Sequence, residues 1–552
     1  MKTNTRRQVF YLCMCIGLAL LVLAIVLPTK RDRPEIVTTP STKPLPRQAN
    51  DTEKPVSSAD NKPKGTPSKP ATKQERIAAV APKHQQVTAT VTEEIEYRLL
   101  ANVNDPLAQN RWYLNDIKAS QAWDTIDTNK SAVVAVIDSG YALNHEDLTN
   151  KWHLNTGETG QTSPGSACWD GSPKNKATNN CDDDANGYID DWRGWDFYYA
   201  DNNPMAGSEN PGGSGVSHGT EVAGLVGAQA NNGVGVASVG FTNKIMPLQV
   251  ISDDGYGYTS GIVAAVYYAV DNGANVINMS LGTAYQDNSL KTALQYAYDH
   301  SVLVVAAAGN CGQVINDGVC NLMPQGTITY PARYGTVIAV GAVDSTKKRA
   351  SFSSYGKELD VSAPGSGTLP STSWTAANQQ SSYVTTLYGT SFASPVVASI
   401  AGLIKAENPG LSVRGAKAIL VANSQKTPDM DGAFYTTPLG HGLVDSFEVQ
   451  RLAKGLINGS SAISLLLTGN NVAESRYSPD TTMAAGCEAA NGTWCSVWFT
   501  NPSGYDRYLP FKRISSQSES WAWQTAGLQQ EAWEIRAISG NTTSTDKVLL
   551  NK

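Results

Sequence analysis

The sequence predicts a doubly wound α/β domain on a mostly parallel sheet, followed by a small C-terminal all-β, sandwich-like domain. Three observations carry this. Five near-continuous apolar runs, at 132–137, 244–251, 276–280, 302–306 and 337–340, read as strands buried on both faces. Between them lie segments of helical periodicity at about 220–227, 261–272 and 290–300, the alternation of a sheet covered on both sides. After about Gly455 helical patterning stops. Aromatic alternation replaces it in Trp494-Cys495-Ser496-Val497-Trp498-Phe499, in Trp521-Ala522-Trp523 and around Trp533-Glu534-Ile535.

At 552 residues the chain has room for more than one domain. Its 41% hydrophobic and 17% charged content describes a lightly charged globular protein. The net charge of −6 gives no basic footprint, so nucleic acid is not an expected partner. At the amino end, Lys2, Arg6 and Arg7 precede an uncharged run at 9–27, which Pro28 closes. That length just spans a bilayer core, so residues 1–30 read as an N-terminal membrane anchor or signal segment that exports the rest of the chain. Lys30, Arg31 and Arg33 leave no small-x-small cleavage site, which favours a retained anchor over secretion. Residues 31–85, rich in Pro, Thr, Ser and Lys, bury too little apolar surface to order and read as a stalk.

Further on, Gly389-Thr390-Ser391-Phe392-Ala393-Ser394-Pro395 opens a helical pattern at Val396, Ile400, Leu403 and Ile404. Ser391 is placed at a helix N-terminus, where unpaired N–H groups and the helix dipole favour negative charge. Pro395 is expected in a first turn, where its missing N–H is not needed. Alone, such a serine is an ordinary cap. Two other motifs change its meaning, Val136-Ile137-Asp138-Ser139-Gly140 and Ser217-His218-Gly219-Thr220.

Together the three motifs resemble those of subtilisin-like serine peptidases, in that family's order Asp, His, Ser. The resemblance is continuous from about Asn104 to Asp445, setting a peptidase domain at 104–455 and a β domain at 456–552. It implies a serine-type endopeptidase acting through an acyl-enzyme on protein or peptide substrates. In it Ser391 attacks, His218 carries the proton and Asp138 holds the imidazole. Asn310, closing Ala306-Ala307-Ala308-Gly309-Asn310, donates to the oxyanion with the Ser391 backbone N–H. The resemblance also places substrate on Ser280-Leu281-Gly282 and on a partner strand containing Gly255, Tyr256 and Gly257. Thr329 lies near the floor of the primary pocket, and the lack of an obvious charge there implies apolar or broad specificity. Residues 86–103 look like the tail of an inhibitory pro-segment, with too little chain before them for a full one. Glu221 and Phe392 depart from the family's usual histidine and methionine. A catalytically silent surface-binding protein on the same scaffold is the alternative, and the presence of all four catalytic positions stands against it.

Beyond the N-terminal run, six cysteines fall into three neighbouring couples, Cys168 and Cys181, Cys311 and Cys320, Cys487 and Cys495. In an exported chain these are expected to form local disulfides. Asp182-Asp183-Asp184-Ala185-Asn186-Gly187-Tyr188-Ile189-Asp190-Asp191 sets oxygen ligands at alternate positions before a glycine turn. The expected ligands are Asp182, Asp184, Asn186, the Tyr188 carbonyl and Asp190. Arg193 occupies the twelfth position, so the loop is not an EF-hand. The resembling family often carries calcium in surface loops, so structural calcium is expected here. Trp494, Trp498, Trp521, Trp523 and Trp533 read either as sandwich core or as a platform for cell-surface glycan.

Overall fold

The computed structural model describes residues 103–455, except 110 and 314–317, and beyond them the strands and some connections between 464 and 550. The expected anchor or signal (1–30), the stalk (31–85) and nearly all of the pro-segment-like stretch (86–102) lie outside the described residues.

Seven strands make the main sheet: β1 (Val133–Asp138), β2 (Trp195–Asp196), β3 (Lys244–Gln249), β4 (Val276–Met279), β5 (Leu303–Ala307), β6 (Val337–Val343) and β7 (Val361–Pro364). Their order is β2-β3-β1-β4-β5-β6-β7, and each pairing is parallel. Side chains alternate in direction along a strand, so both faces need apolar residues. Val134, Val136, Leu303 and Val305 join one core, whereas Ala135, Ile137, Val304 and Ala306 join the other. Helices α1 (His218–Gly227), α4 (Thr390–Glu407), α5 (Val413–Ala422) and α6 (Ser446–Gly455) cover the first face. Helices α2 (Thr259–Asp271) and α3 (Asn288–Asp299) cover the second. The expected doubly wound parallel sheet is therefore present. Strand and helix ends differ by at most three residues from the sequence reading, and β2 and β7 are additions to it.

From β1 the chain passes to β2 at the sheet edge, comes back to β3 beside β1, and then crosses β1 to β4. The strand order reverses there, and ligands of such sheets bind at the carboxyl ends of the strands. Asp138 ends β1, Ser280 follows β4, and Gly309-Asn310 follow β5. One local expectation is corrected. Pro395 is not in the first turn of α4 but five residues after its first residue, Thr390. A proline there cannot donate to the carbonyl four residues back, which is that of Ser391. The Ser280 hydroxyl takes the place of the missing donor, at 2.7 Å from that carbonyl.

Beyond α6 each described strand pairing is antiparallel. One sheet combines Ser464–Thr468, Thr482–Glu488 and Ser518–Gln524, and the other is built on Trp494–Thr500 and Trp533–Ser539. These strands share a core with the α/β fold, because Trp498, Tyr508, Phe511 and Ile538 pack in the same cluster as α4 and α5. Polar contacts fix the seam. The Tyr508 N–H donates to buried His441 Nε2 at 3.0 Å, and the Arg507 guanidinium lies 3.6 Å from the Tyr435 ring. Arg414 covers Trp498 at 4.3 Å and Arg451 covers Trp494 at 4.5 Å. Two of the five tryptophans weighed as a glycan platform are thus covered by their own chain. The side chains of Trp521, Trp523 and Trp533 lie outside the described residues. The three local disulfides are formed as expected. Among the described residues no helix is long and apolar enough to cross a membrane, and the 9–27 run is not among them.

Candidate active site

The end of β1 and the start of α1 meet through hydrogen bonds. Asp138, only 2% exposed, accepts from His218 Nδ1 and from the Ser139 N–H, both at 2.7 Å and both on Oδ1. The Gly219 N–H donates to Ser139 Oγ at 2.9 Å, tying the first turn of α1 to the strand end. With Nδ1 as the donor, Nε2 is left as an acceptor, the tautomer a general base requires. Asp138 Oδ2 is buried without a hydrogen-bond partner among the described residues. Burial pulls the His218 pKa down. The Asp138 charge and hydrogen bond, with the charge of Glu221 one helical turn on, outweigh it and carry it up to about 8.

Ser391 is the second residue of α4, where backbone N–H groups have no intrahelical partner. Its hydroxyl donates to the Ser280 carbonyl at 3.3 Å rather than to His218. Such long contacts are common before substrate is bound. The Phe392 ring lies against the imidazole with centroids 5.5 Å apart, so this departure from the family pattern forms part of the wall around His218. Asn310 Oδ1 accepts the Thr390 N–H at 2.9 Å and the Thr390 hydroxyl at 3.0 Å. Thr390 Oγ1 in turn accepts the Gly309 N–H at 3.1 Å. These bonds commit the amide oxygen and leave Nδ2 as the donor.

Beside Ser391 lies a cavity of about 130 Å³ lined by Ser280, Leu281, Gly282, Asn310 and Thr329, with no charged side chain. Thr329 fits under it only because its neighbours are glycines. A Cβ on Gly282 would stand 2.6 Å from Thr329 Oγ1, and one on Gly309 (φ +103°) 2.8 Å from Thr329 Cγ2. The other residues expected to bind substrate, Gly255, Tyr256 and Gly257, do not line this cavity. They form a turn closed by the Ser252 N–H donating to the Tyr256 carbonyl at 2.8 Å. Tyr256 and Tyr258 stand out from it, 72% and 67% exposed.

The sequence model of the subtilase family matches residues 129–442, more than half of the chain. The chain belongs to the subtilase family. It is a serine-type endopeptidase. It is 32% identical over 310 residues to thermitase from Thermoactinomyces vulgaris, covering 56% of this chain and 87% of thermitase. It is 42% identical over 234 residues to subtilisin DY from Bacillus licheniformis, covering 42% of this chain and 76% of the relative. Halolysin from Haloferax mediterranei is 29% identical over 364 residues, covering 65% of this chain and 57% of halolysin.

In this subtilase the acidic loop lies between β1 and α1. Asp182 and Asp184 come together there, within 4.8 Å of a third carboxylate, Glu158. The Gly187 N–H donates to Asp182 Oδ2 at 2.8 Å and the Asn186 N–H to Asp182 Oδ1 at 3.2 Å, which curls the loop around its first aspartate. The Asn186 carboxamide is turned to the Tyr188 N–H and to Asp191. The Asp190 carboxylate is occupied by the N–H groups of Asn179 and Asn180. Glu158 was missed from the sequence. It ends a separate turn, Thr156–Glu158, and nothing in its neighbours gives away where that turn is brought. Thr390 was also missed as a partner of Asn310, although it stands inside the serine motif.

Proposed function

We propose that this subtilase is an exported endopeptidase of broad or apolar primary specificity, with Asp138, His218 and Ser391 as its triad. The 2.7 Å hydrogen bond from His218 Nδ1 to Asp138, with the ring of Phe392, the neighbour of Ser391, 5.5 Å from the imidazole, carries this reading. His218 Nε2 takes the Ser391 Oγ proton as the oxygen attacks the peptide carbonyl. Asn310 Nδ2 and the Ser391 N–H then receive the oxyanion of the tetrahedral intermediate. The imidazolium, stabilised by Asp138, passes its proton to the leaving amine nitrogen, and the C–N bond breaks to give the acyl-enzyme. Water repeats the sequence with His218 again as base, releasing the acid and restoring Ser391. The uncharged cavity beside Ser391 supports the apolar or broad specificity. An extended peptide would lie as an added strand between 280–282 and 254–258.

The test is a pH profile of kcat/KM. Only neutral His218 can accept the serine proton, and its pKa is raised, so activity is lost as pH falls through about 8. Glu221→Gln removes one of the charges that raise it and should move that midpoint down with the alkaline plateau nearly kept. A wild-type midpoint near the ordinary histidine value, unmoved in Glu221→Gln, would contradict this placement of charge.

The acidic loop supports a structural calcium site. Glu158 is fully buried, its Oε2 has no hydrogen-bond partner among the described residues, and its carboxylate lies beside Asp182 and Asp184. Calcium would neutralise these carboxylates, with Glu158, Asp182 and Asp184 as its side-chain ligands. Binding to the native state alone adds about 2.7 kcal/mol when calcium exceeds its Kd a hundredfold. Chelation should therefore lower Tm by several degrees and hasten autolysis, leaving initial rates at low temperature unchanged. Asp182→Ala with Asp184→Ala should abolish that dependence. A wild-type Tm indifferent to chelator contradicts the site.

Export rests on the sequence of residues 1–30. We expect full-length protein to fractionate with membranes, resist carbonate extraction and release its peptidase domain when the 31–85 stalk is cut. An amino terminus near residue 30 in all of the mature material would instead show secretion.

A further inference from the structure

The cavity beside Ser391 has one wall that the sheet does not supply. Ser280-Leu281-Gly282 follow β4, Gly309-Asn310 follow β5, and Thr329 forms the floor; Val319 and Cys320 close the remaining side. These two residues reach the cavity because Cys320 is bridged to Cys311. Cys311 follows Asn310 and is fixed in the core at 1% exposure. Its N–H donates to Ser354 Oγ at 3.1 Å and its carbonyl accepts the Gly326 N–H at 2.7 Å. The next residue is held as firmly, with the Gly312 N–H on the Phe352 carbonyl at 2.7 Å and Gln325 Nε2 on the Gly312 carbonyl at 3.0 Å. Cys320 has a different setting. It opens a single three-residue turn, Cys320–Leu322, closed by the Leu322 N–H on the Val319 carbonyl at 3.2 Å, and Leu322 stands 56% exposed. The disulfide ties this outer wall covalently to Cys311.

We propose that the Cys311–Cys320 disulfide and Val319 are specificity-determining elements of the primary pocket, and that reduction of the bridge relaxes selectivity for large apolar side chains there. This rests on the reading of the cavity as the primary pocket. A side chain held between two walls gains from each buried methylene, and losing one wall forfeits part of that gain. Glycine-sized or alanine side chains do not reach the wall and lose little. The chemistry is thiol–disulfide exchange with a dithiol reductant. One thiolate attacks the sulfur of Cys320, the half-buried residue of the pair, where Cys311 is sealed. The S–S bond breaks, the reductant closes to its own disulfide, and its two electrons and two protons leave Cys311 and Cys320 as thiols.

The test uses matched peptide substrates that differ only in Ala, Leu or Phe before the scissile bond. They are assayed with the wild type, with the wild type in dithiothreitol, and with Cys311→Ser/Cys320→Ser, the bridge state being read by alkylation and mass. The Leu/Ala and Phe/Ala ratios of kcat/KM should fall at least fivefold when this bridge is open, with the Ala rate kept within about twofold. Cys168→Ser/Cys181→Ser should leave both ratios unchanged. Val319→Gly keeps the bridge and removes its neighbour, so it must lower the same ratios even if the double serine variant does not fold. Ratios within twofold of the wild type in Val319→Gly, or in chains shown to be open at this bridge, overturn the proposal. So does an equal fall for all three substrates, which would make the bridge a support for Asn310 alone. Thr329→Ser enlarges the floor of the same cavity and separates the two readings. If it changes the ratios and the bridge variants do not, the pocket is primary and the wall is wrong. If neither changes them, the cavity is not the primary pocket.

Discussion

Alanine at Ser391 or His218 should lower kcat by about 10⁶, and loss of Asp138 by about 10⁴, the ranges known for a subtilisin of this family. Any double or triple replacement should be little worse than the worst single one. The reason lies in the geometry. Asp138 acts on Ser391 only through the imidazole, to which it is bonded at 2.7 Å. Once the nucleophile is gone, a well-placed base has nothing to deprotonate. Asp138→Asn is the sharper variant, because it keeps the size of the side chain. An amide nitrogen facing Nδ1 favours the opposite tautomer, with the proton on Nε2, and that imidazole cannot accept from Ser391. Its activity should fall while its melting temperature stays near that of the wild type. Losses that added fully across the three positions would separate them as independent residues.

Asn310→Ala should reduce turnover by about 10²–10³, on the order of 3–4 kcal/mol, as for the corresponding donor in a subtilisin. KM should change little, because the oxyanion exists only near the transition state. Asn310→Asp tests the same point with the shape preserved. Its carboxylate still accepts from Thr390 but presents negative charge to the oxyanion, so it should do no better than alanine. Thr390→Val keeps the backbone donor to Asn310 and removes the hydroxyl bonded at 3.0 Å. It should cost less than Asn310→Ala, on the order of tenfold, since only the aim of the amide is loosened. A Thr390→Val enzyme with wild-type turnover would show that the backbone bond alone orients Asn310.

Strands of the sheet were legible because both faces are covered, which forces runs such as Val133-Val134-Ala135-Val136-Ile137 to be apolar throughout. The candidate catalytic residues were legible because Asp138, His218, Ser391 and Asn310 stand in short contiguous motifs that resemble those of the family. Elements that depend on distant partners were not. Pro395 read as a first-turn residue because nothing local shows that Ser280, from another strand end, supplies the missing donor to the Ser391 carbonyl. Glu158 stands outside the acidic run it joins, and only the fold brings the two together. The C-terminal strands were legible as a β domain from their aromatic alternation, but not the way they join the α/β fold. Their seam is made by buried pairs such as Tyr508 with His441 and Arg507 with Tyr435, which no periodicity announces.

A fluorophosphonate probe tests the central claim most directly. It reacts with a serine only where a neighbouring base and an oxyanion hole are both in place. The expected result is one adduct per folded wild-type chain, mapped by peptide mass to Ser391, with none on Ser391→Ala and a strongly slowed reaction on His218→Ala. A folded wild-type chain that takes no label, or one labelled at a different serine, would contradict it.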